Sequence, residues 1–282
     1  MSALQSIFID PFAFEFMRQA LVIGLLVAFV SGVISPFLVL RGWSLMGDAI
    51  SHAVLPGIVI AYLLGLPLAV GAFAAGMTCA LTTGYLKENS RVKEDTAMGI
   101  VFSGMFGLGF VMFTRIESDV HLNHILFGDM LGVTWRDIAE TAVIAIAAAG
   151  ILLLRRRDVM AYVFDPQHAQ AIGLPVRLLH YGLLVIVSLT IVAALKAVGM
   201  ILAIAFLIAP GAIAFLLTDR FERMILYSVL IAIAMTAAGI VAAFHIDSAP
   251  APTIVLWLTI AFIAAFVLAP KRGLIALARK RG

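Results

Sequence analysis

Residues 44–57 read "SLMGDAISHAVLPG". Small and apolar residues enclose an aspartate and a histidine four positions apart, and the apolar run goes on through "IVIAYLLG" to residue 65. A hydrocarbon core of about 30 Å is crossed by about 20 residues of α-helix, and 44–65 has that length. An ionisable side chain at the centre of a bilayer costs about 2.5 kcal/mol or more. Asp48 and His52 therefore need a partner, a wet cavity or a ligand. On a helix, positions i and i+4 share a face, so the carboxylate and the imidazole address one spot, with Ser44 and Ser51 flanking it.

The rest of the chain agrees with a membrane setting. Of 282 residues, 63% are hydrophobic and only 12% are charged, and mean hydropathy is +1.12. A soluble domain cannot enclose that much apolar surface and keep a wet exterior. The fold class is all-α, a polytopic helical bundle of about nine transmembrane helices, with eight to ten as the range. The spans fall near 18–40, 44–65, 68–86, 97–114, 137–155, 178–196, 199–217, 222–244 and 252–270. They form a single domain over 1–282.

Lys and Arg fix the orientation. Alternate loops hold Arg41, then Lys87, Arg91 and Lys93, then Arg155, Arg156, Arg157 and Arg177, then Arg220 and Arg223, and finally Lys271, Arg272, Arg279, Lys280 and Arg281. Only Arg18, Arg115, Arg136 and Lys196 fall on the other side. The first set is expected in the cytoplasm, with the N-terminus outside and the C-terminus inside. The segment 115–136 is too short and polar to cross by itself and is expected as an external loop with a short re-entrant or interfacial helix. Ala28 with Gly32, Ala72 with Gly76 and Ser103 with Gly107 have the small-xxx-small spacing of close helix packing.

Several function classes are excluded or disfavoured. One cysteine, Cys79, rules out internal disulfides and thiolate clusters. The first 20 residues lack a basic start and contain Asp10 and Glu15, unlike a cleavable signal peptide. Basic patches interleaved with aromatics are missing, so no nucleic acid is expected as a partner. The motifs H-E-x-x-H, G-x-S-x-G and G-x-x-x-x-G-K-[ST] are absent. The chain is expected not to be an enzyme, and any ATP that drives it is bound by another polypeptide.

A carboxylate with an imidazole suits Mn²⁺, Fe²⁺ or Zn²⁺. The spacing leaves two readings open for Asp48 and His52: a metal-ligating pair, or a hydrogen bond that ties helices together. Pro56 and Gly57 follow one turn later and can free backbone carbonyls. Pro210 and Gly211 break another span, as a gate or pathway wall or as a packing kink. "FDPQHAQAIGLP" at 164–175 reads as a short helix outside the membrane: Asp165 caps it, Pro166 starts it, and Gly173 and Pro175 end it. In "ESDVHLNHILFGD" (117–129), His121 and His124 with nearby carboxylates offer an external metal or partner contact, and His245 and Asp247 of "FHIDSAP" (244–250) offer another. For both loops an ordinary solvated role stands beside the ligand role.

"RGWSLMGDAISHAVLPGIVIAYLLG" (41–65) resembles the permease subunits of bacterial ABC importers for manganese, iron and zinc. "DTAMGIVFSGMFGLG" (95–109), "HILFGDMLGV" (124–133), "FDPQHAQAIGLP" (164–175), "LKAVGMILAIAFLIAPGAIAFLL" (195–217) and "DSAPAPTIVL" (247–256) resemble that family too, in order. The resemblance implies a second permease subunit, identical or paralogous, two cytoplasmic P-loop ATPase subunits and an extracytoplasmic metal-binding protein, in the bacterial inner membrane. It implies that Asp48 and His52 coordinate the passing ion. It places a coupling helix for the ATPase at about 165–174, through Asp165, Pro166, His168, Ala169, Ala171 and Gly173. No cofactor is held permanently; the metal is cargo, and ATP sits on the partner subunit.

The wording of 42–57 and 124–133 is nearer the manganese and iron branch than the zinc branch. A zinc importer of the same architecture is the nearest alternative. A siderophore or cobalamin permease favours a wide cavity with few ionisable groups, which the Asp–His pair opposes. A secondary metal transporter or channel, from another class, needs no ATPase.

Overall fold

Glu15–Arg41 forms helix α1, and it is enclosed along most of its length. A short 3₁₀ turn, Asp10–Ala13, precedes it. Gly42 ends it at φ 75, where the backbone N–H reaches Leu38 O and Val39 O; only a residue without Cβ takes that left-handed turn readily. The computed structural model describes residues 10–115, 128–269 and 273–276, with no β-strand among them.

Two short helices follow, α2 (Met46–Ala53) and α3 (Leu55–Leu63), which meet at Val54. Val54 keeps right-handed helical angles, so the two read as one slightly broken span. Next come α4 (Leu68–Asn89), α5 (Glu94–Thr114) and α6 (Trp135–Leu154). A capping box starts α6, in which the Thr134 side chain accepts from Asp137 N and Asp137 accepts from Thr134 N. Two short helices, α7 (Arg156–Phe164) and α8 (Pro166–Ala171), then lie outside the candidate spans. The chain continues with α9 (Val176–Leu217), α10 (Phe221–His245) and α11 (Pro250–Leu268).

As one rod, the 42 residues of α9 would reach about 63 Å, twice a hydrocarbon core. Gly199 (φ 77, ψ 174) interrupts it. Near the basic end of α1, His180 of the first half meets the Trp43 ring, and Gly211 of the second half bonds to Ser35. The chain thus turns back at Gly199. The two halves are the predicted spans 178–196 and 199–217; the predicted span 44–65 falls on α2 and α3 together, and each of the others on one helix. Among the described residues, eight spans are long and apolar enough to cross a membrane when α2 and α3 are taken as one and α9 as one.

Two apolar clusters fill the bundle. One joins Ile34, Phe37, Trp43, Ile50, Tyr162 and Val187 in the half nearer the basic loops. The other joins Ile23, Val27, Val198, Leu202, Phe206 and Ile254 in the opposite half. Small residues bring particular helices together. A Cβ on Gly57 would lie 2.7 Å from that of Ala75, and one on Gly71 would lie 2.6 Å from that of Ala61. Helices α3 and α4 therefore touch backbone to backbone. Gly32 lies against Val229 and Gly76 against Ile50, whereas Gly107 faces open space.

Of 115–136, residues 116–127 lie outside the described part, so the expected re-entrant helix, His121 and His124 are not placed. Gly128 packs directly on the Gly199 corner, where an added Cβ would sit 2.8 Å from Gly199 Cα.

Candidate metal site

Helix α2 buries Met46, Gly47, Ala49, Ile50, Ser51 and Ala53. The residues left half-open on it are Asp48 and His52, with side chains 33% and 29% exposed. One turn apart, they bring Asp48 Oδ1 to 3.3 Å from His52 Nε2. That is long for a good N–H···O hydrogen bond, which lies near 2.7–3.2 Å. It is the span of two neighbouring ligands on one metal: bonds of about 2.1 Å at 90–109° hold their donor atoms about 3.0–3.4 Å apart. The pair can hold a dication with little rearrangement, and the carboxylate balances part of its charge.

Helix α5 fixes the imidazole. The His52 ring lies nearly parallel to Phe102, with centroids 5.8 Å apart, and edge-on to Phe106 at 5.2 Å. The two phenylalanines are themselves one turn apart on α5. Their rings hold the imidazole plane and narrow its approach. Pro56 lacks the N–H that would bond to the carbonyl of His52 in a regular helix. Gly109 of α5 packs on Pro56, where an added Cβ would stand 2.6 Å from its nitrogen. A side-chain oxygen, a ring nitrogen and a carbonyl without its usual helical donor thus belong to one turn and its neighbour.

The other sequence-predicted residues take varied places. Ser51 is buried, and its hydroxyl donates to Gly47 O at 2.7 Å; Ser44 is half-buried just before α2. Pro210 and Gly211 are buried in the second half of α9. There the Gly211 N–H donates to Ser35 Oγ at 2.9 Å, and Ser35 Oγ reaches Ile208 O at 3.3 Å. That serine precedes Pro36, the proline inside α1, so the two proline-bearing turns are stapled together. His245 is exposed at the end of α10, its Nδ1 2.8 Å from Val241 O. Asp247 follows in the left-handed region, φ 51, also exposed. Among the described residues, no group of three or more His, Cys, Asp or Glu could hold a metal ion.

The short element at 165–174 forms as the sequence predicts. Asp165 Oδ1 accepts from Gln167 N at 2.9 Å and from His168 N at 3.0 Å. Pro166 opens α8, and Gly173 (φ 83) follows its end. Ala169 is fully buried and joins the first apolar cluster, while His168 and Ala171 are exposed. Phe164 and Ile172, which sequence reasoning passed over, stand 63% and 57% exposed on either side. At the far end from the basic loops, Lys196 bridges Asp137 and Glu140, and Arg136 pairs with Glu140. The crevice of about 670 Å³ beside them is lined by Pro67, Leu68, Ala72, Val192 and Lys196, among others, and is distinct from the Asp48–His52 pair.

A bundle with eight spans long and apolar enough to cross a membrane defines an integral membrane protein of the multi-pass class. More narrowly, the chain belongs to the ABC 3 transport family, whose model matches residues 13–269. It is 54% identical over 267 residues to the chelated iron transport system membrane protein YfeD of Yersinia pestis, covering 95% of this chain and 90% of that one. It is 45% identical to the manganese transport system membrane protein MntB of Synechocystis sp., over 95% of this chain and 88% of that one. Its fold is similar to a chain of the structure of PsaBC from Streptococcus pneumoniae in complex with Fab, with TM-score 0.87, 36% identity and coverage of 96% and 98%.

Proposed function

We propose that the chain is the permease subunit of an ATP-driven importer for divalent transition-metal ions, manganese and iron first. The observation that carries this is the Asp48–His52 pair, 3.3 Å apart, held half-open by two aromatic rings. Relatives named for manganese and chelated iron transport supply the cargo class. The distribution of Lys and Arg orients the protein with its N-terminus outside and its C-terminus in the cytoplasm of a bacterial inner membrane.

One chain brings two side-chain donors, while first-row dications take four to six ligands. Water, the His52 carbonyl and the same pair on a second permease subunit complete the set. The α5 face with Ser103, Gly104 and Gly107 is exposed, borders the Phe102–Phe106 clamp and is smooth enough for such a partner. On the cytoplasmic side, α8 with exposed Phe164, His168 and Ile172 is the knob that an ATPase subunit grips. On the outer side, the exposed joint around Gly65 faces the metal-binding protein that delivers the ion. Asp48 and His52 replace part of the ion's hydration shell during passage. Hydrolysis of ATP belongs to the partner.

The test is metal uptake by the complete transporter in proteoliposomes. Asp48→Ala and His52→Ala are each expected to assemble with the ATPase and hydrolyse ATP, and to lose uptake by about tenfold or more, as for loss of one metal ligand or its support. Normal uptake by either variant shows that the pair is structural. Full uptake by the chain alone, without an ATPase, supports a secondary transporter instead.

A further inference from the structure

Arg41 closes α1 one residue before the Gly42 turn. Its guanidinium carbon lies 4.9 Å from the Tyr162 ring centroid and 5.6 Å from that of Trp43. The Tyr162 hydroxyl is 2.7 Å from His180 Nδ1. His180 in turn sits edge-on to Trp43, with centroids 5.4 Å apart. Four residues from α1, the α1–α2 joint, α7 and the first half of α9 thus close a ring of contacts. Tyr162 and Trp43 are almost fully buried, at 1% and 2% exposure.

The ring stands between two places that matter for transport. Tyr162 is three residues before Asp165, the cap of α8. Trp43 is five residues before Asp48, at the entry to α2. Tyr162, Arg41 and Trp43 thus form a contiguous line of contacts from α7–α8 to the entry of α2.

Plain packing does not require a cation here. Leucine or phenylalanine would join the four elements with no charge to desolvate. Moreover, Arg41 Nε is buried with no hydrogen-bond partner among the described residues. Ser31, Thr83, Ser188, Thr190 and Ser228 also hold a buried unpartnered oxygen, but Arg41 alone among these six brings a charge, and burying part of a charged group costs more than burying a hydroxyl. If a second arrangement satisfies that N–H, the cluster is a two-state element, which is what a conformational switch needs. We propose that Arg41, held over Tyr162 and Trp43, is the positioning residue that couples movement of α7–α8 to the helix carrying Asp48 and His52. It engages the two rings in one state of the transport cycle and leaves them in the other. This deepens the permease assignment and rests on it.

The experiment uses the complete transporter, permease with its ATPase and delivery protein, in liposomes. Manganese uptake and ATP hydrolysis are measured together, and the ratio of ions moved to ATP consumed is the readout. Arg41→Met keeps the length and removes the charge. It is expected to lower the ratio about tenfold while hydrolysis stays within about twofold. Arg41→Lys restores a cation over the rings and is expected to recover most of the ratio. Tyr162→Phe, which removes only the hydroxyl facing His180, is expected to lower it about threefold. A wild-type ratio in Arg41→Met overturns the proposal, and so does a proportional fall in uptake and hydrolysis with an unchanged ratio. If Arg41→Met fails to assemble, Tyr162→Phe decides alone, and an unchanged ratio there overturns the proposal. Failure of the permease assignment looks different: the wild-type complex itself would move metal independently of ATP.

Discussion

The contact between α3 and α4 offers the sharpest arithmetic in the molecule. Gly57 and Gly71 face each other's carbonyl groups, and a methyl on either would fall 2.6–2.7 Å from the Cβ of Ala61 or Ala75. Carbon atoms prefer about 3.5–4.0 Å, so Gly57→Ala or Gly71→Ala forces the helices about 1 Å apart. Overpacking of that kind costs about 1–3 kcal/mol. The two substitutions are not independent, because the separation that admits one methyl also relieves most of the clash of the other. The double variant should therefore cost less than the sum of the singles, with a coupling of about 1 kcal/mol. Unfolding of the detergent-solubilised protein, titrated with a denaturing detergent and followed by circular dichroism, measures all four corners of the cycle. Neutral single variants would refute the proposed close contact, and strict additivity would refute the shared displacement. The effect should reach function too, since α3 continues α2. A shift of α3 displaces the Pro56 end of the turn that bears His52, so metal uptake should fall in the single variants even where most of the protein stays folded.

Two further outcomes follow from the same geometry. Phe106→Ala removes the edge-on ring 5.2 Å from His52 and should lower metal uptake about threefold to tenfold by loosening the imidazole, as losing a supporting group around a metal ligand does; uptake equal to wild type would show that Phe102 alone fixes the ring. Ser35→Ala strips the buried Gly211 N–H of the acceptor 2.9 Å away and should cost about 1–3 kcal/mol; a melting temperature within a degree of wild type in the same detergent would show that the α9 helix supplies its own acceptor.

The spans were legible because membrane depth demands length and apolarity, and those are properties of the chain itself. The break between the spans 178–196 and 199–217 was legible for a similar reason, because an apolar run of about 40 residues is about twice what one bilayer crossing needs. The cap at Asp165 was legible because capping is a local rule of a few residues. The pair at Asp48 and His52 was legible as a shared face. Its surroundings were not, since Phe102 and Phe106 lie some fifty positions downstream and look like any apolar residues of a span. Ser51 shows the limit from the other side. It stands beside the pair in sequence, yet it bonds back to Gly47 within the core. Helical spacing says which residues share a face of about 100°, and only packing says which of those a neighbour covers. The contact of Arg41 and Trp43 with Tyr162 and His180 was hidden, because the last two lie more than a hundred positions downstream and only packing brings the four together.

The composition of the candidate site explains why one sequence, and one chain, reads as unfinished chemistry. On the proposed assignment, two side-chain donors on a half-open face hold a dication weakly by themselves, and a transport pathway uses that weakness, because an ion held by a complete cage would not leave. A second permease subunit that brings a second pair can complete the set when the bundle is in one arrangement and withdraw it in the other. On the function proposed above, the ligand count is the variable that ATP-driven movement controls, and affinity rises and falls with the approach of two half-sites. For that to work, α2 must move as a rigid unit with its ligands attached. Its buried neighbours, the aromatic clamp on α5 and the tight α3–α4 seam all hold it to that behaviour.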